Sequence, residues 1–162
     1  SYDGEIDLPE EYQARLDQIL LGFHTMIIPR SWGDGARFVG LSFLAKLGQK
    51  RLEQAMAEHT QALINAIRRY RIAIITHPGL KVPIDSRRLA TACAERNTLL
   101  EINARHGRQT VSYITKALAS SVQFVLSSDA HRPEDVGALE PALAAAKLAG
   151  TPDKRIINLC PL

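Results

Sequence analysis

The chain has 162 residues, of which 46% are hydrophobic and 23% are charged, and its formal net charge is +3. This length and composition predict a single globular domain and exclude a disordered chain. No apolar run approaches the roughly 18 residues that a membrane-spanning helix needs, so we expect no membrane partner. The basic residues are dispersed along the chain, which gives weak support for an anionic substrate and disfavours a nucleic-acid groove.

Four short apolar runs alternate with helical patterns along the chain. The runs are nearly continuous, which is typical of parallel strands covered on both faces. The helical segments repeat apolar residues at a spacing of three and four. This alternation predicts an α/β fold with a parallel sheet. The predicted strands are 18–23, 71–76, 98–103 and 122–128, and the predicted helices are 50–70, 86–96, 110–120 and 139–148.

Residues 25–48 interrupt the alternation. They contain Pro29, four glycines and the single tryptophan, Trp32. We interpret the segment as a long loop with a helical turn around 41–47. Loops of this length in compact domains often form lids or binding segments, and a packed excursion without function fits equally well.

The chain has two cysteines, Cys93 and Cys160, without a CxxC pattern. Two reduced thiols are expected for a protein of the cytoplasm, and we predict that localisation.

Polar side chains occupy the carboxyl ends of all four predicted strands. In parallel α/β folds, this edge of the sheet is where functional sites are built. Imidazole and carboxylate are ligands that Zn²⁺, Mn²⁺ and Fe²⁺ share, so three histidines at equivalent strand ends favour a metal site over separate structural roles. Asp129 and His131 are two residues apart, and in an extended segment they project to the same side. The residues at the four ends are His24, His77, Glu101, Asn103, Asp129 and His131.

The other two histidines are weaker candidates. His59 lies within a predicted helix, where a packing or solvated role is expected. His106 follows the third strand between Arg105 and Arg108. A contact with phosphate and a place in an exposed turn are both open for His106.

Five stretches together resemble the polymerase and histidinol phosphatase (PHP) superfamily, in particular its small stand-alone phosphatases. They are DGEIDLPEEY, LDQILLGFH, IAIITHPG, LLEIN and SSDAHRPEDVG, in family order over nearly the whole chain. The resemblance implies a distorted seven-stranded (β/α) barrel that binds up to three divalent metal ions (zinc, manganese or iron) and hydrolyses phosphate esters. It implies that His24 and His77 share one ion, that Asp129 binds a second and that His131 binds a third.

The family pattern is incomplete in this chain. The HxH strand, the two further histidines and the bridging glutamate that precede the stretch matching DGEID have no counterpart. We therefore expect residues 1–162 to form a single partial PHP domain, the C-terminal portion with about four strands and their helices. Because an unclosed barrel leaves open sheet edges, we expect the chain to form a homo-oligomer or to derive from a longer parent with an N-terminal half.

The resemblance implies a metal-dependent phosphoric ester hydrolase that acts on a small phosphorylated metabolite, as histidinol phosphatases do. We expect this chain alone to be inactive or incomplete as an enzyme. Asp129 and His131 are the implied catalytic residues at the metal ions. Other residues are expected to orient the ligands or to contact the substrate phosphate. They are Glu101, Asn103, Arg105 and Arg132, with Arg30 and Arg108 as further candidates for phosphate.

Three other functions stay open. A PHP exonuclease module of a DNA polymerase would need a basic, aromatic-rich strand-binding face, whereas only 6% of the residues are aromatic. A non-catalytic remnant or scaffold would lack ligands, as this chain does. Another metal-dependent (β/α) hydrolase, such as an amidohydrolase, would also need an HxH strand, and LEIN with SSDAH fits the PHP pattern better.

Overall fold

The computed structural model of the chain describes residues 1–24, 32–44 and 48–159. Four strands form one parallel sheet in the order β1-β2-β3-β4, which confirms the predicted α/β class and the predicted strand direction. The strands are β1 (Leu20–Leu21), β2 (Ile74–Ile75), β3 (Leu99–Asn103) and β4 (Phe124–Ser127). The helices are α1 (Glu10–Gln13), α2 (Trp32–Leu44), α3 (Gln49–Arg69), α4 (Ser86–Glu95), α5 (Val111–Ala117) and α6 (Glu140–Leu148).

The strands are shorter than the apolar runs that predicted them. β1 and β2 contain two residues each, β3 contains five and β4 four. The register pairs Leu20 with Ile74, Ile74 with Leu99, and Asn103 with Ser127. Because the strands are parallel, all four carboxyl ends lie at one edge of the sheet, where the predicted site residues follow.

The two faces of the sheet differ in how they are covered. Ile75, Leu100 and Phe124 point to the face that packs against α3 to α6, and each is at most 1% exposed. On the other face Leu20 is 53% exposed and Val125 is partly exposed. The prediction of strands covered on both faces is therefore wrong for β1 and β4, because the helices that pack on the sheet bury only one of its faces.

The outer edge of β4 is covered by the end of the described chain. Phe124 forms an isolated parallel bridge with Ile156, and Ile157 donates its backbone N–H to the Phe124 carbonyl at 2.9 Å. The Asn158 amide bonds both the N–H and the carbonyl of Leu126, each at 2.9 Å. The open sheet edge expected on this side is therefore closed, because a side-chain amide can satisfy the same backbone groups as a neighbouring strand.

Helix α2 replaces most of the predicted loop over 25–48. Its glycines lower its intrinsic helix propensity. Leu41 is only 5% exposed, however, and Phe38 packs against the core. The loop prediction was wrong because tertiary packing outweighs local propensity here. Residues 25–31 and 45–47, which include Pro29 and Arg30, lie outside the described residues.

Helix α4 begins where Asp85 caps it, since the Asp85 carboxylate accepts the N–H groups of Arg87 and Arg88 at 3.1 Å each. Within α4, Cys93 is a buried free thiol, and burial raises its pKa to about 12. The prediction of a reduced, core-like thiol is confirmed for Cys93, while Cys160 lies outside the described residues. Across the described ranges, every helix is too short or too polar to cross a membrane.

The packing role expected for His59 is confirmed. The side chain is fully buried in α3, and its Nδ1 lies 3.1 Å from the Pro83 carbonyl oxygen. The rings of Tyr2, Phe23 and Phe38 surround the imidazole at centroid distances of 6.1, 5.4 and 5.9 Å. His59 thus joins the start of the chain, the end of β1 and helix α2 in one aromatic cluster.

Candidate metal and phosphate site

The carboxyl edge of the sheet brings five ionisable side chains into one row, which we call the polar edge. The rings of His24 and His77 are 4.7 Å apart, and those of His77 and His106 are 6.3 Å apart. The Nε2 atom of His106 lies 3.9 Å from Oδ2 of Asp129, and Nδ1 of His131 lies 3.9 Å from Oδ1 of the same carboxylate. The polar edge thus runs from the end of β1 to the loop after β4.

The backbone is unusual at two positions of the polar edge. His77 has φ 30° and Asp129 has φ 50°, both in the left-handed region. Non-glycine residues there cost on the order of 1–3 kcal/mol each, and such strain concentrates at functional sites. After β2 the chain turns sharply, since Leu80 donates its N–H to the His77 carbonyl at 3.2 Å and Gly79 has φ 79°. Both strained residues therefore direct side chains that were predicted as metal ligands.

Gly22 leaves room for the first histidine of the row. A Cβ atom at this position would lie 2.6 Å from Oγ1 of Thr76 and 2.8 Å from Nε2 of His24. Both distances are shorter than real Cβ contacts allow. The glycine in the GFH stretch therefore permits the His24 imidazole to fold back beside β2.

Burial and neighbouring charges shift the pKa of two imidazoles of the polar edge, those of His24 and His106. Burial lowers the pKa of His24, and His77 and Lys81 lower it further, while Asp129 acts in the opposite direction. Burial likewise lowers the pKa of His106, and here Asp129 again opposes the shift. Because both values fall below the usual 6.5, these rings are mainly neutral at pH 7 and keep a lone pair for a ligand.

The donors of the polar edge match a divalent metal in kind. Imidazole and carboxylate suit zinc, manganese and iron, and the buried Nδ1 of His77 has no hydrogen-bond partner within the described part of the chain. A buried nitrogen without a partner is costly, and a bound ligand would satisfy it. Over residues 1–24, 32–44 and 48–159, however, no three His, Cys, Asp or Glu side chains converge closely enough to hold an ion.

The remaining predicted residues divide into two kinds. Glu101 is 5% exposed and Asn103 is fully buried, so they lie beneath the polar edge rather than on it. Arg105 and Arg132 are exposed, and Arg108 is exposed in the 3₁₀ turn Gly107–Thr110. The exposed arginines are thus accessible to an anion, whereas Glu101 and Asn103 are shielded from solvent.

Sequence reasoning underestimated His106 and missed Lys81. His106 lies three residues beyond β3, and its place between His77 and Asp129 makes it a full member of the polar edge. Lys81 follows His77 by four residues, and its charge lowers the pKa of both His24 and His106. The signal available for both was their position in loops that leave the carboxyl ends of neighbouring strands.

The larger cavities of the described residues lie elsewhere. One of about 630 Å³ is lined by Arg69, Arg71 and Arg96 at the amino ends of the strands. A smaller groove of about 310 Å³ runs over the less covered sheet face, where Glu101, Val125 and Ser127 line it. The groove approaches the polar edge, whereas the large cavity is at the opposite end of the sheet.

No protein-family model matches the chain. In an alignment of 167 residues it is 32% identical to a probable phosphatase of Shewanella frigidimarina, and in one of 168 residues it is 32% identical to a probable phosphatase of Aeromonas hydrophila. A third, from Shewanella sediminis, is 34% identical over 167 residues. Each match covers 98% of this chain and 58 or 59% of the relative. The chain thus spans less than two thirds of the relatives' length, and along nearly all of its own length it is similar to probable phosphatases.

Proposed function

We propose that this chain carries part of the active site of a metal-dependent phosphatase of the PHP type. The observation that carries the proposal is the polar edge, a row of imidazoles and one carboxylate at the carboxyl ends of four parallel strands. Similarity to probable phosphatases over 98% of the chain supports the same reaction class. The substrate class we propose is a small phosphorylated metabolite.

The residues that would hold metal are His24, His77, Asp129 and His131. The 4.7 Å separation of the His24 and His77 rings supports a shared ion for that pair. Since no trio of described donors converges, the proposal requires side chains to rotate or donors from elsewhere to join them. His24 is exposed and the His131 side chain is 60% exposed, so both have room to rotate. When bound, a divalent ion lowers the pKa of its water to about 7 and offsets negative charge on phosphate.

The chain's own residues would position the phosphate. Lys81 and Arg105 lie in the loops after β2 and β3, and their positive charges reach the polar edge, where both act on His106. Cations at this edge attract an anionic substrate and can grip its non-bridging oxygens. Arg132 follows His131 directly and would approach the phosphate from the end of β4. A neutral His106 could donate a hydrogen bond to a phosphate oxygen from one ring nitrogen.

We infer that residues 1–162 alone have weak activity or none. The chain holds only part of the ligand pattern that the PHP resemblance implies, because it contains no HxH stretch. A second copy of the chain or further segments would have to complete the site. The native mass of the purified chain, measured together with its metal content, distinguishes these two sources.

Elemental analysis of the purified chain, loaded with zinc or manganese and then dialysed, tests the proposal. We expect at least one ion per chain, and a lower metal content in Asp129→Ala with the fold retained. Asp153→Ala, in the exposed 3₁₀ turn Asp153–Arg155 near the end of the described residues, is the matched control and should keep its metal. Assays on a panel of phosphomonoesters then test the reaction class. Wild-type chain that binds no ion under any loading condition would contradict the metal site.

A further inference from the structure

The carboxylate of Glu101 is buried beneath the polar edge. It is 5% exposed in the middle of β3, where burying a charge is costly unless the charge is hydrogen-bonded. Its Oε2 atom accepts two hydrogen bonds, from the His77 backbone N–H at 2.6 Å and from Nδ2 of Asn103 at 3.2 Å. Within the described ranges, the ion pairs of the chain involve other carboxylates. Glu101 is thus stabilised by N–H donors.

The bond from His77 is made by the main chain rather than by the imidazole. His77 has φ 30°, a conformation that persists only where the surroundings hold it in place. The hydrogen bond from the His77 N–H to Oε2 of Glu101 is short, at 2.6 Å, and is accepted by a side chain that is itself buried. The Glu101 carboxylate therefore fixes the backbone of His77 and leaves the ring free to face His24 and His106.

The second bond extends the same support to His106. Asn103 is fully buried, and while its Nδ2 donates to Glu101, its Oδ1 accepts the backbone N–H of His106 at 3.2 Å. Two buried side chains of β3, Glu101 and Asn103, thus accept hydrogen bonds from the main-chain N–H groups of two histidines. These two histidines lie in different loops and have ring centroids 6.3 Å apart.

We propose that Glu101 is a positioning residue that sets the polar edge through main-chain hydrogen bonds, directly to His77 and through Asn103 to His106. The inference rests on the proposed function in so far as the polar edge is the active site. It differs from a ligand role for Glu101, because a ligand needs the negative charge, whereas positioning needs an acceptor at the place of Oε2.

Two substitutions separate these roles. Glu101→Gln can put its carbonyl oxygen at the Oε2 position and still accept both hydrogen bonds. Glu101→Leu has a similar size and accepts none. The control pair is Glu95→Gln and Glu95→Leu, at an exposed position of α4.

The first readout is the NMR spectrum of the metal-free chain, which needs no activity. In the wild type we expect the His77 amide proton to be shifted downfield and protected from exchange. Glu101→Leu should remove both features at His77 and shift the His106 amide, whereas Glu101→Gln should keep them. The Glu95 variants should leave both amides unchanged. Equal effects of Gln and Leu at position 101 would overturn the proposal, since the charge rather than the acceptor would then matter.

Should Glu101→Leu not fold, the wild type and Glu101→Gln still decide the question. A His77 amide that exchanges as freely as an exposed loop amide, in either folded protein, would also refute the inference. The second readout is zinc affinity, which we expect to fall about 10- to 100-fold in Glu101→Leu and clearly less in Glu101→Gln. If the wild type binds no zinc, the proposed function fails, while the amide measurements still test the positioning role.

Discussion

The Nε2 atom of His106 lies 3.9 Å from Oδ2 of Asp129, so the loop after β3 and the loop after β4 meet through an imidazole and a carboxylate. At this distance the charge of Asp129 favours the protonated form of His106, against the effect of burial. The protonation of His106 in the loop after β3 therefore depends on the charge of Asp129 in the loop after β4.

Asp129→Asn should lower the pKa of His106. The substitution removes the one charge that raises this pKa, and burial, Lys81, His77 and Arg105 remain to lower it. NMR titration of the His106 ring in the metal-free chain measures the shift. His59, in the aromatic cluster, has no contribution from Asp129 and provides the internal control. A His106 pKa that rises or stays constant would show that the two side chains do not interact in solution.

Lys81→Gln should raise the pKa of both His24 and His106. The Lys81 ammonium lowers both values, so removing it favours the protonated imidazoles. The same titration reports both rings. Lys147→Gln, at an exposed position near the end of α6, serves as the control and should move neither ring. Shifts of equal size in the two lysine variants would point to a general charge effect instead of a local one.

The chain should lose stability as the pH falls below about 6.5, partly because of His59. Burial lowers the pKa of His59 in the folded state, against smaller opposing effects of the Pro83 carbonyl and Glu58. The unfolded chain therefore binds the proton more readily, and the stability present above the unfolded pKa is lost as the pH drops towards the folded one. Urea unfolding at roughly pH 7, 6 and 5 measures this slope.

His59→Asn provides the comparison for the pH slope. Its amide can replace Nδ1 next to the Pro83 carbonyl, but it does not titrate. We expect a lower stability at every pH from the lost ring volume, and a smaller dependence on pH. His24 and His106 keep their own contributions, so the slope should shrink without vanishing. An unchanged slope would exclude His59 as a source of acid sensitivity.

Asp129→Gly should be more stable than Asp129→Ala. Both variants lose the carboxylate. Glycine adopts φ 50° freely, whereas alanine in the left-handed region destabilises the fold by roughly 1–2 kcal/mol. The free energy of unfolding of the two metal-free proteins gives the comparison. At Thr91, an exposed position in the middle of helix α4, the order should reverse, since glycine costs about 0.5–1 kcal/mol relative to alanine there. If Ala and Gly at position 129 are equally stable, the backbone strain at Asp129 is not real.

The order of strands and helices could be predicted because apolar spacing directly reflects which faces are buried. LLEIN became a full strand and residues 86–96 became helix α4 almost to the residue. α2 could not be predicted in this way. Leu41 is buried and α2 packs against α3, and local composition does not reveal such a contact between two helices.

The candidate site was predictable in its location but not in its connections. His24, His77, Asp129 and His131 were recognisable because each follows an apolar run. That Glu101 bonds the main chain of His77, and not its ring, depends on a left-handed backbone at a non-glycine residue, which sequence patterns do not reveal. His106 was undervalued for a similar reason, since its approach to Asp129 arises from two loops that are separate in sequence.

Trp32 begins helix α2 with its side chain 95% exposed, and it is the only indole in the chain. An indole already surrounded by water changes its emission little when the protein unfolds. Tryptophan fluorescence should therefore change little while the sheet unfolds. The optical signal will come from the tyrosines, above all from Tyr113, which is 8% exposed in the core and whose ring becomes hydrated only when α5 separates from the sheet.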